Sequence, residues 1–216
     1  MKKYKLSKKG NQLINMYNKM IDEGYFKVKA EENLSYVNFE IRPLRKNIKK
    51  IFKDYNIKSV LDYGSGGSDW NKSGFDVETE KSAKQYFELD KINKFDPAMN
   101  VDERCLSDCV VCFDVLEHIF ISDVRNLLLD IFQYANHLVV LNIACYKAGA
   151  SLPNGENAHI TVRHPFWWKG VVDTVAQEFK EVSVILTCST EYRKFVSFKA
   201  WNAKMWDEDK NFKIDY

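Results

Sequence analysis

Apolar positions follow two different periods along this chain. A helical period predicts an amphipathic helix over 5–22, ending near Gly24, because apolar side chains recur there every three or four positions. A second helical region is predicted over 35–55, where Pro43 restarts the helix. Beyond it, short apolar runs that predict strands alternate with further helical patterns. The predicted strands are 59–63, 92–97, 109–113, 137–144, 182–188 and 194–201, and the predicted helices between them are 78–89, 124–135 and 165–179.

Strands that alternate with helices predict a parallel sheet with helices on both faces. The last two strands, 182–188 and 194–201, are separated by a short turn near 190–193 and are expected to pair antiparallel. We therefore predict an α/β fold with a doubly wound, Rossmann-like, mostly parallel sheet, a C-terminal antiparallel strand pair and an N-terminal helical cap. The simplest organisation is a single domain, with the cap over 1–55 and the α/β core over 56–216.

Length and composition indicate one folded domain with an uneven charge distribution. The chain has 216 residues, 45% hydrophobic and 29% charged, which suffices for one core. It has no long apolar run and no apolar leader, so we expect no membrane insertion and a cytoplasmic location. The net charge is +2, but residues 1–53 hold 14 basic and 5 acidic side chains. This segment could attract nucleic acid or an anionic substrate, or form a solvated helical face.

The five cysteines do not form a recognisable metal motif. Their odd number, without a secretory signal, favours reduced thiols. Cys105, Cys109 and Cys112 lie close in sequence, but Cys109 and Cys112 fall in an apolar strand, where a separation of three puts them on opposite faces. No fourth ligand has suitable spacing. We therefore predict no metal site and interpret the cysteines as small buried residues.

The strand over 59–63 runs into a glycine-rich loop, Asp62-Tyr63-Gly64-Ser65-Gly66. Glycines in such a turn permit positive φ and close approach of a ligand to the backbone. A carboxylate before the turn can orient loop N–H groups or bind a cationic group. This arrangement suits a nucleoside-containing cofactor at the carboxyl end of a central strand, although an ordinary turn is the simpler alternative. The dinucleotide pattern G-x-G-x-x-G is incomplete, because position 69 is Asp.

Two acids could bind the ribose hydroxyls of such a cofactor at the end of the next strand. Asp90 is nearer the usual spacing of about 20 residues from the glycine loop. Asp96 ends the strand predicted over 92–97, whereas Asp90 follows a helical pattern. We favour Asp96 for this reason.

A second motif, Asp114-Val115-Leu116-Glu117-His118, directly follows the apolar strand over 109–113. The simpler alternative for it is a polar helix cap with Glu117 and His118 solvated. Together with Leu61-Asp62-Tyr63-Gly64-Ser65-Gly66, it resembles the fourth and first motifs of the class I S-adenosylmethionine-dependent methyltransferases of the small-molecule type. Ser68 stands where that family has a third glycine. Residues 141–147, 152–161 and 165–168 are similar to an uncharacterised bacterial and phage subgroup of this fold.

The resemblance implies S-adenosylmethionine as the cofactor and S-adenosylhomocysteine as the product. It places the second motif under the methionine portion of the cofactor, beside the acceptor, which makes Glu117 and His118 candidate catalytic residues. The implied cofactor contacts are Asp62, Tyr63, Gly64, Ser65, Gly66, Trp70, Asp96, Asp114, Val115 and Leu116.

The loop over 145–163 adds a third candidate catalytic residue, His159, whose pKa near neutrality suits a general base. A structural or acceptor-binding role for His159 remains open. Glu156 could orient this imidazole or bind a substrate amine. Asn154 and Asn157 could instead hold the loop through Asx turns. His164 precedes a proline and is expected to mark a helix start, while Trp167 and Trp168 could line an acceptor pocket or belong to the core.

We expect methyl transfer to a small molecule or to a sugar- or lipid-linked group. The second motif lacks the Asn/Asp-Pro-Pro-aromatic sequence of the enzymes that methylate amino groups of DNA bases. The basic N-terminal segment keeps RNA open as an acceptor. Cofactor binding without methyl transfer is a further alternative, and a nicotinamide enzyme is disfavoured by Asp69. The sequence leaves the oligomeric state open.

Overall fold

The computed structural model describes residues 4–23, 26–27, 40–191, 194–201 and 205–207. The helices are α1 (Lys8–Glu23), α2 (Arg45–Asp54), α3 (Ala83–Phe87), α4 (Val124–Phe132) and α5 (Pro165–Ala176), with single 3-10 turns at Arg42–Leu44, Leu116–His118 and Ile121–Asp123. The strands are β1 (Phe26–Lys27), β2 (Ser59–Tyr63), β3 (Lys91–Asp96), β4 (Val101–Asp102), β5 (Ser107–Phe113), β6 (Ala135–Ala144), β7 (Ala150–Ser151), β8 (Ser183–Glu191), β9 (Lys194–Trp201) and β10 (Met205–Asp207).

The main sheet has eight strands in the order β10-β9-β8-β6-β5-β2-β3-β4. Its central strands β3, β2, β5, β6 and β8 are parallel, whereas β4, β9 and β10 run antiparallel to their neighbours. The predicted fold is thereby confirmed: an α/β fold with a Rossmann-like, mostly parallel sheet and an antiparallel pair, β8 and β9. The order reverses direction between β2 and β5, and ligands bind at such a switch point in doubly wound sheets.

Each face of the sheet buries its own hydrophobic core because strand residues alternate between faces. In β2, Leu61 and Tyr63 join the core that α4 and α5 cover, whereas Val60 joins the core that α2 and α3 cover. In β5, Cys112 lies in the first core and Cys109 in the second. This confirms that the two cysteines occupy opposite faces, and all five cysteines carry free thiols.

Helix α1 forms the predicted cap, and it packs on the loops at the carboxyl ends of the parallel strands. Leu13, Tyr17 and Met20 form a small separate core with two residues of the loop after β6, Leu152 and Ala158. The helix begins three residues later than predicted, and Gly24, where we expected it to end, lies outside the described residues. The same holds for 35–39 of the second predicted helix and for part of the turn near 190–193.

The helix predicted over 78–89 is much shorter, at Ala83–Phe87. Asp76 accepts hydrogen bonds from the N–H and hydroxyl of Thr79, which holds the preceding residues in a turn. Ser82 then begins α3 with a capping box that includes Gln85. Glu88 ends it in a left-handed conformation, with φ of +58°. Local side-chain bonds therefore override the apolar periodicity here.

Four short strands, β1, β4, β7 and β10, were not predicted from the sequence. Strand β4 adds an antiparallel edge beside β3, and β7 lies inside the segment that we predicted as a loop, where it pairs with β1. Among the described helices, none combines the length and apolar character needed to cross a bilayer.

Candidate functional site

A crevice opens where the carboxyl ends of β2, β3 and β5 meet α1. It spans about 820 Å³, a volume that includes space open to solvent. The α1 wall is formed mainly by Leu13, Ile14, Tyr17 and Ile21. The strand ends contribute Tyr63, Gly64, Phe95, Asp96, Asp114 and Val115.

Half of the implied cofactor contacts line this crevice, and they come from three separate segments of the chain. Those that line it are Tyr63, Gly64, Asp96, Asp114 and Val115. The other implied contacts, Asp62, Ser65, Gly66, Trp70 and Leu116, do not line the crevice itself. The structure thus brings the glycine loop, the end of β3 and the second motif together.

Gly64 is required by the contact between the two motifs. Its φ is +80°, and a Cβ added to it would lie 2.3 Å from Cγ2 of Val115. Any other residue would meet both a backbone penalty and a clash. The glycine therefore permits close approach of Val115 to the loop.

The N–H groups of the glycine loop bond to the protein itself. Those of Gly64 and Ser65 donate to the carbonyl of Phe95 at 2.7 and 3.1 Å, and that of Gly66 donates to Oδ2 of Asp96 at 2.8 Å. We expected a ligand to approach the backbone of this loop, but in the structure its N–H groups tie the loop to β3. The buried hydroxyl of Ser65 has no hydrogen-bond partner within the described part of the chain, so it is the polar group that the loop can still offer.

Asp62 and Trp70 form a buried pair behind the loop. Oδ2 of Asp62 accepts hydrogen bonds from Oγ of Ser68 at 2.6 Å and from Nε1 of Trp70 at 2.8 Å. Burial raises the pKa of Asp62, although these two bonds oppose the shift. Trp70, which we expected to contact the cofactor, is buried in the core beside Phe87 instead. Both residues therefore shape the loop from within.

Asp96 lies at the crevice, and Asp90 does not. Asp96 ends β3, and its Oδ1 accepts hydrogen bonds from the N–H groups of Ala98 and Met99 at 2.9 and 3.2 Å. With Gly66 on Oδ2, three donors orient this carboxylate. Asp90 precedes β3 and is exposed at the opposite end of the strand. The position of Asp96 in the sheet therefore favours it over Asp90 as the candidate for binding the ribose hydroxyls, as the sequence interpretation did.

Asp114 occupies a strained position at the end of β5. Its φ is +53°, which is uncommon for a residue with a side chain and is concentrated at functional sites. Nδ2 of Asn142 donates to its Oδ1 at 2.7 Å. Burial raises the pKa of Asp114 to about 7, and the carboxylate of Glu40 adds to the shift. A cationic ligand group at this end of the crevice would relieve that unfavourable environment.

Glu117 is fully buried, so the alternative in which it is solvated is wrong. Its Oε1 accepts a hydrogen bond from the N–H of Ala144 at 3.0 Å. Its Oε2 has no partner among the described residues. Burial and the Asp114 carboxylate raise the pKa of Glu117 well above its usual range. Leu116 beside it is part of the core under α4.

The two candidate catalytic histidines lie side by side. The rings of His118 and His159 are 4.8 Å apart between centroids and nearly perpendicular, at 84°. Nδ1 of His118 lies 2.6 Å from Oη of Tyr17 and 2.9 Å from the carbonyl of Ala158. Burial lowers the pKa of His118 to about 3 and also lowers that of His159. Both imidazoles are therefore neutral at pH 7.

The remaining polar residues of the loop after β6 hold the loop itself. Oδ1 of Asn154 accepts a hydrogen bond from the N–H of Glu156, and Oδ1 of Asn157 accepts from the N–H of His159. The Asx-turn interpretation is thus confirmed for both asparagines. Glu156 is exposed and pairs with Lys9 of α1 at 2.5 Å, so its contact is with the cap.

The aromatic pair after this loop belongs largely to the core. Trp168 is fully buried between α5 and the sheet, and Trp167 is half-buried against the same core. His164 caps α5 as predicted, because its Nδ1 accepts a hydrogen bond from the N–H of Phe166.

Sequence reasoning missed the contribution of α1. Tyr17 reaches from the cap into the histidine pair, and Lys9 and Ser7 bind Glu156 and Asp123. The helical period predicts that Tyr17 lies on the buried face of the helix. It does not predict which part of the chain that face packs against.

Neither a scan against known protein families nor a search of curated proteins found a match for this chain.

Proposed function

We propose that this chain is an S-adenosylmethionine-dependent methyltransferase that acts on a small-molecule acceptor. The observation that carries the proposal is the convergence of Tyr63, Gly64, Asp96, Asp114 and Val115 on one crevice. These residues come from three segments that the motif resemblance links to one cofactor. The crevice lies at the switch point of the sheet, where doubly wound folds bind nucleotides.

Asp96 would bind the ribose hydroxyls. An ionised carboxylate has about four acceptor sites, and three are used by the N–H groups of Gly66, Ala98 and Met99. These bonds fix the orientation of the carboxylate while leaving it capacity for a hydroxyl donor.

Asp114 would face the charged part of the cofactor. The sulfonium and the ammonium of S-adenosylmethionine are cations, and Asp114 is a half-buried carboxylate near a second acid, Glu40. Opposite charges at short range in a poorly solvated site attract strongly. The Ser65 hydroxyl, buried without a partner in the described residues, supplies a further donor or acceptor on the loop side.

A dinucleotide is a poorer occupant of this site. Dinucleotide folds place the pyrophosphate at the N-terminus of the helix that follows the glycine loop. Here residues 64–82 are all described and contain no helix before α3 begins at Ala83. Together with Asp69 in place of the third glycine, this geometry supports a cofactor without a pyrophosphate.

His118 is the candidate base nearer the acceptor space, since it lines the crevice and His159 does not. Methyl transfer needs the acceptor lone pair aligned with the methyl–sulfur bond, and a base only where the acceptor carries a proton. A neutral imidazole has a lone pair for that proton, although the lowered pKa of His118 makes it a weak base. The cap α1 closes the site on this side through Tyr17, which leaves room for a small acceptor.

RNA is a second candidate acceptor because of the excess positive charge within residues 1–53. RNA binding through this segment would weaken steeply with salt. Methylation of a small acceptor at the crevice would depend much less on ionic strength.

The test is calorimetric titration of the purified protein with S-adenosylmethionine, S-adenosylhomocysteine and NAD. We expect micromolar binding of the first two ligands and none of NAD. Asp96→Ala should abolish binding, whereas the matched control Asp90→Ala, at the other end of β3, should retain it. Tight NAD binding, or equal affinity in the two variants, would contradict the proposal. Cofactor binding without methylated product in an acceptor screen would favour the alternative of binding alone.

A further inference from the structure

Three side chains next to the crevice form a cluster with metal-ligand chemistry. Glu117 and His118 lie on the 3-10 turn after β5, and His159 lies on the loop after β6. One donor atom from each lies within 4.8 Å of the other two. Two imidazoles and one carboxylate are ligands of transition-metal ions.

Within the described part of the chain, both imidazoles make their hydrogen bonds through the same nitrogen, Nδ1. Nδ1 of His118 lies 2.9 Å from the carbonyl of Ala158, and Nδ1 of His159 lies 2.6 Å from the carbonyl of Tyr146. A carbonyl can only accept, so Nδ1 carries the proton in His159. It carries the proton in His118 as well, because the Tyr17 hydroxyl donates to the Ala158 carbonyl and can accept from Nδ1. Each Nε2 therefore presents a lone pair. Backbone carbonyls fix metal-binding histidines in this way in many proteins.

Glu117 supplies an independent sign that a ligand belongs here. The side chain is 0% exposed, and only Oε1 is satisfied, by the N–H of Ala144. Oε2 has no hydrogen-bond partner among the residues that the structure describes. A buried carboxylate oxygen without a partner is costly, and a bound cation removes that cost.

We propose that Glu117, His118 and His159 bind a divalent transition-metal ion, with Zn²⁺ as the representative ion. Zinc bonds to N and O ligands are about 2.0–2.2 Å long, which puts tetrahedral ligands about 3.3 Å apart. Donor atoms within 4.8 Å of one another would have to approach by up to about 1.5 Å to reach this spacing. Mg²⁺ prefers oxygen ligands and retains water, so it should bind weakly.

One ligand of this site lies at the crevice. Of the three ligands, His118 is the one that lines it, so an oxygen atom of a bound small molecule can complete the coordination. Tyr17 supports the site from α1, since its Oη lies 2.6 Å from Nδ1 of His118. The metal site does not depend on the proposed methyl transfer. When metal is bound, the Nε2 lone pairs are occupied, so neither imidazole would then accept a proton from the acceptor.

The test is calorimetric titration of chelator-treated protein with Zn²⁺, with Mg²⁺ for comparison. We expect one Zn²⁺ per chain at micromolar affinity or tighter. Glu117→Gln and His159→Ala should weaken binding by more than about 100-fold, and Tyr17→Phe by about tenfold. The matched control is His137→Ala, because His137 is exposed and away from the cluster. It should bind as the parent does.

A second measurement covers the case in which a buried variant fails to fold. In the unaltered protein, Zn²⁺ should shift the ring nitrogen resonances of His118 and His159 and leave those of His137 unchanged. Absence of Zn²⁺ binding by the parent protein, or unchanged resonances of both clustered rings, would overturn the proposal. Equal Zn²⁺ affinity in His159→Ala and the parent would overturn it as well, because the metal would then bind elsewhere.

Discussion

Oη of Tyr17 lies 2.6 Å from Nδ1 of His118, although 101 positions separate the two residues in the chain. This contact joins the N-terminal cap to the motif at the end of β5. The same hydroxyl donates to the carbonyl of Ala158 at 2.9 Å, so it also holds the loop after β6. One side chain thus connects the three segments around the candidate site.

Tyr17→Phe should loosen this connection while it keeps the packing of the ring. The variant leaves the Ala158 carbonyl one remaining partner, His118, so we expect a loss of about 1 kcal/mol in the free energy of unfolding. Urea denaturation measures it. Lys19→Ala, an exposed residue of the same helix, is the control and should change stability by less than about 0.5 kcal/mol. A Tyr17→Phe effect no larger than that of the control would show that the hydroxyl does not hold the cap.

Gly64 and Gly155 have the same backbone conformation, so alanine substitutions at the two positions separate the cost of backbone strain from the cost of a steric clash. Gly64 and Gly155 have φ of +80° and +84°, but only Gly64 has a neighbour, Val115, in the way of a Cβ. We expect Gly155→Ala to cost about 1 kcal/mol from backbone strain. Gly64→Ala should cost about 3 kcal/mol, because displacement of Val115 adds to the strain.

The double variant Gly64→Ala/Val115→Ala tests the cause of this difference. If the clash with Val115 is responsible, the double variant should recover part of the stability that Gly64→Ala loses, as a chemical denaturation cycle would measure. Equal costs for Gly64→Ala and Gly155→Ala would instead contradict the close contact between the two motifs.

Because of Asp62, the free energy of unfolding should fall as the pH rises above the ordinary pKa range of carboxyl groups. Burial raises the pKa of Asp62 above 3.8 in the folded protein, so the folded state binds this proton more tightly than the unfolded state. The resulting stabilisation is fully present below the pKa that Asp62 has in the unfolded state. It is lost as the pH rises through the pKa that Asp62 has in the folded state. Asp62→Asn removes this dependence.

The measurement is the difference in unfolding free energy between the parent and Asp62→Asn over pH 3.5–7. Other carboxyl groups titrate in both proteins and cancel in the difference. The parent should lose stability relative to the variant as the pH rises. A difference that is flat, or of opposite sign, would mean that the bonds from Ser68 and Trp70 outweigh burial.

Six of the eight strands of the main sheet were predicted from the sequence because short apolar runs mark them. The run over 59–63 coincides with β2, and 194–201 coincides with β9. Strand β4 has only two residues and pairs through its backbone, so no apolar pattern marks it. Helix α3 was predicted too long because the turn at Asp76 and the cap at Ser82 act locally.

The sequence predicted which residues lie at the candidate site, but not which contacts they make with one another. The glycine loop and the second motif each carry a sequence pattern, and both lie at the crevice. The orientation of Trp70 toward Asp62, and the tie between the loop N–H groups and Phe95, depend on tertiary packing. The pairing of His118 with His159 likewise follows from the fold, since 40 positions separate His118 from the Ala158 carbonyl that orients it.

A backbone amide NMR titration with S-adenosylhomocysteine would show whether the crevice between α1 and the strand ends binds S-adenosylmethionine. We expect the largest shifts at Gly64–Gly66, Asp96–Ala98 and Asp114–Val115, with α5 unaffected. Saturable shifts confined to these three segments would locate the cofactor at the predicted crevice. An absence of shifts, or shifts centred on another surface, would contradict the account.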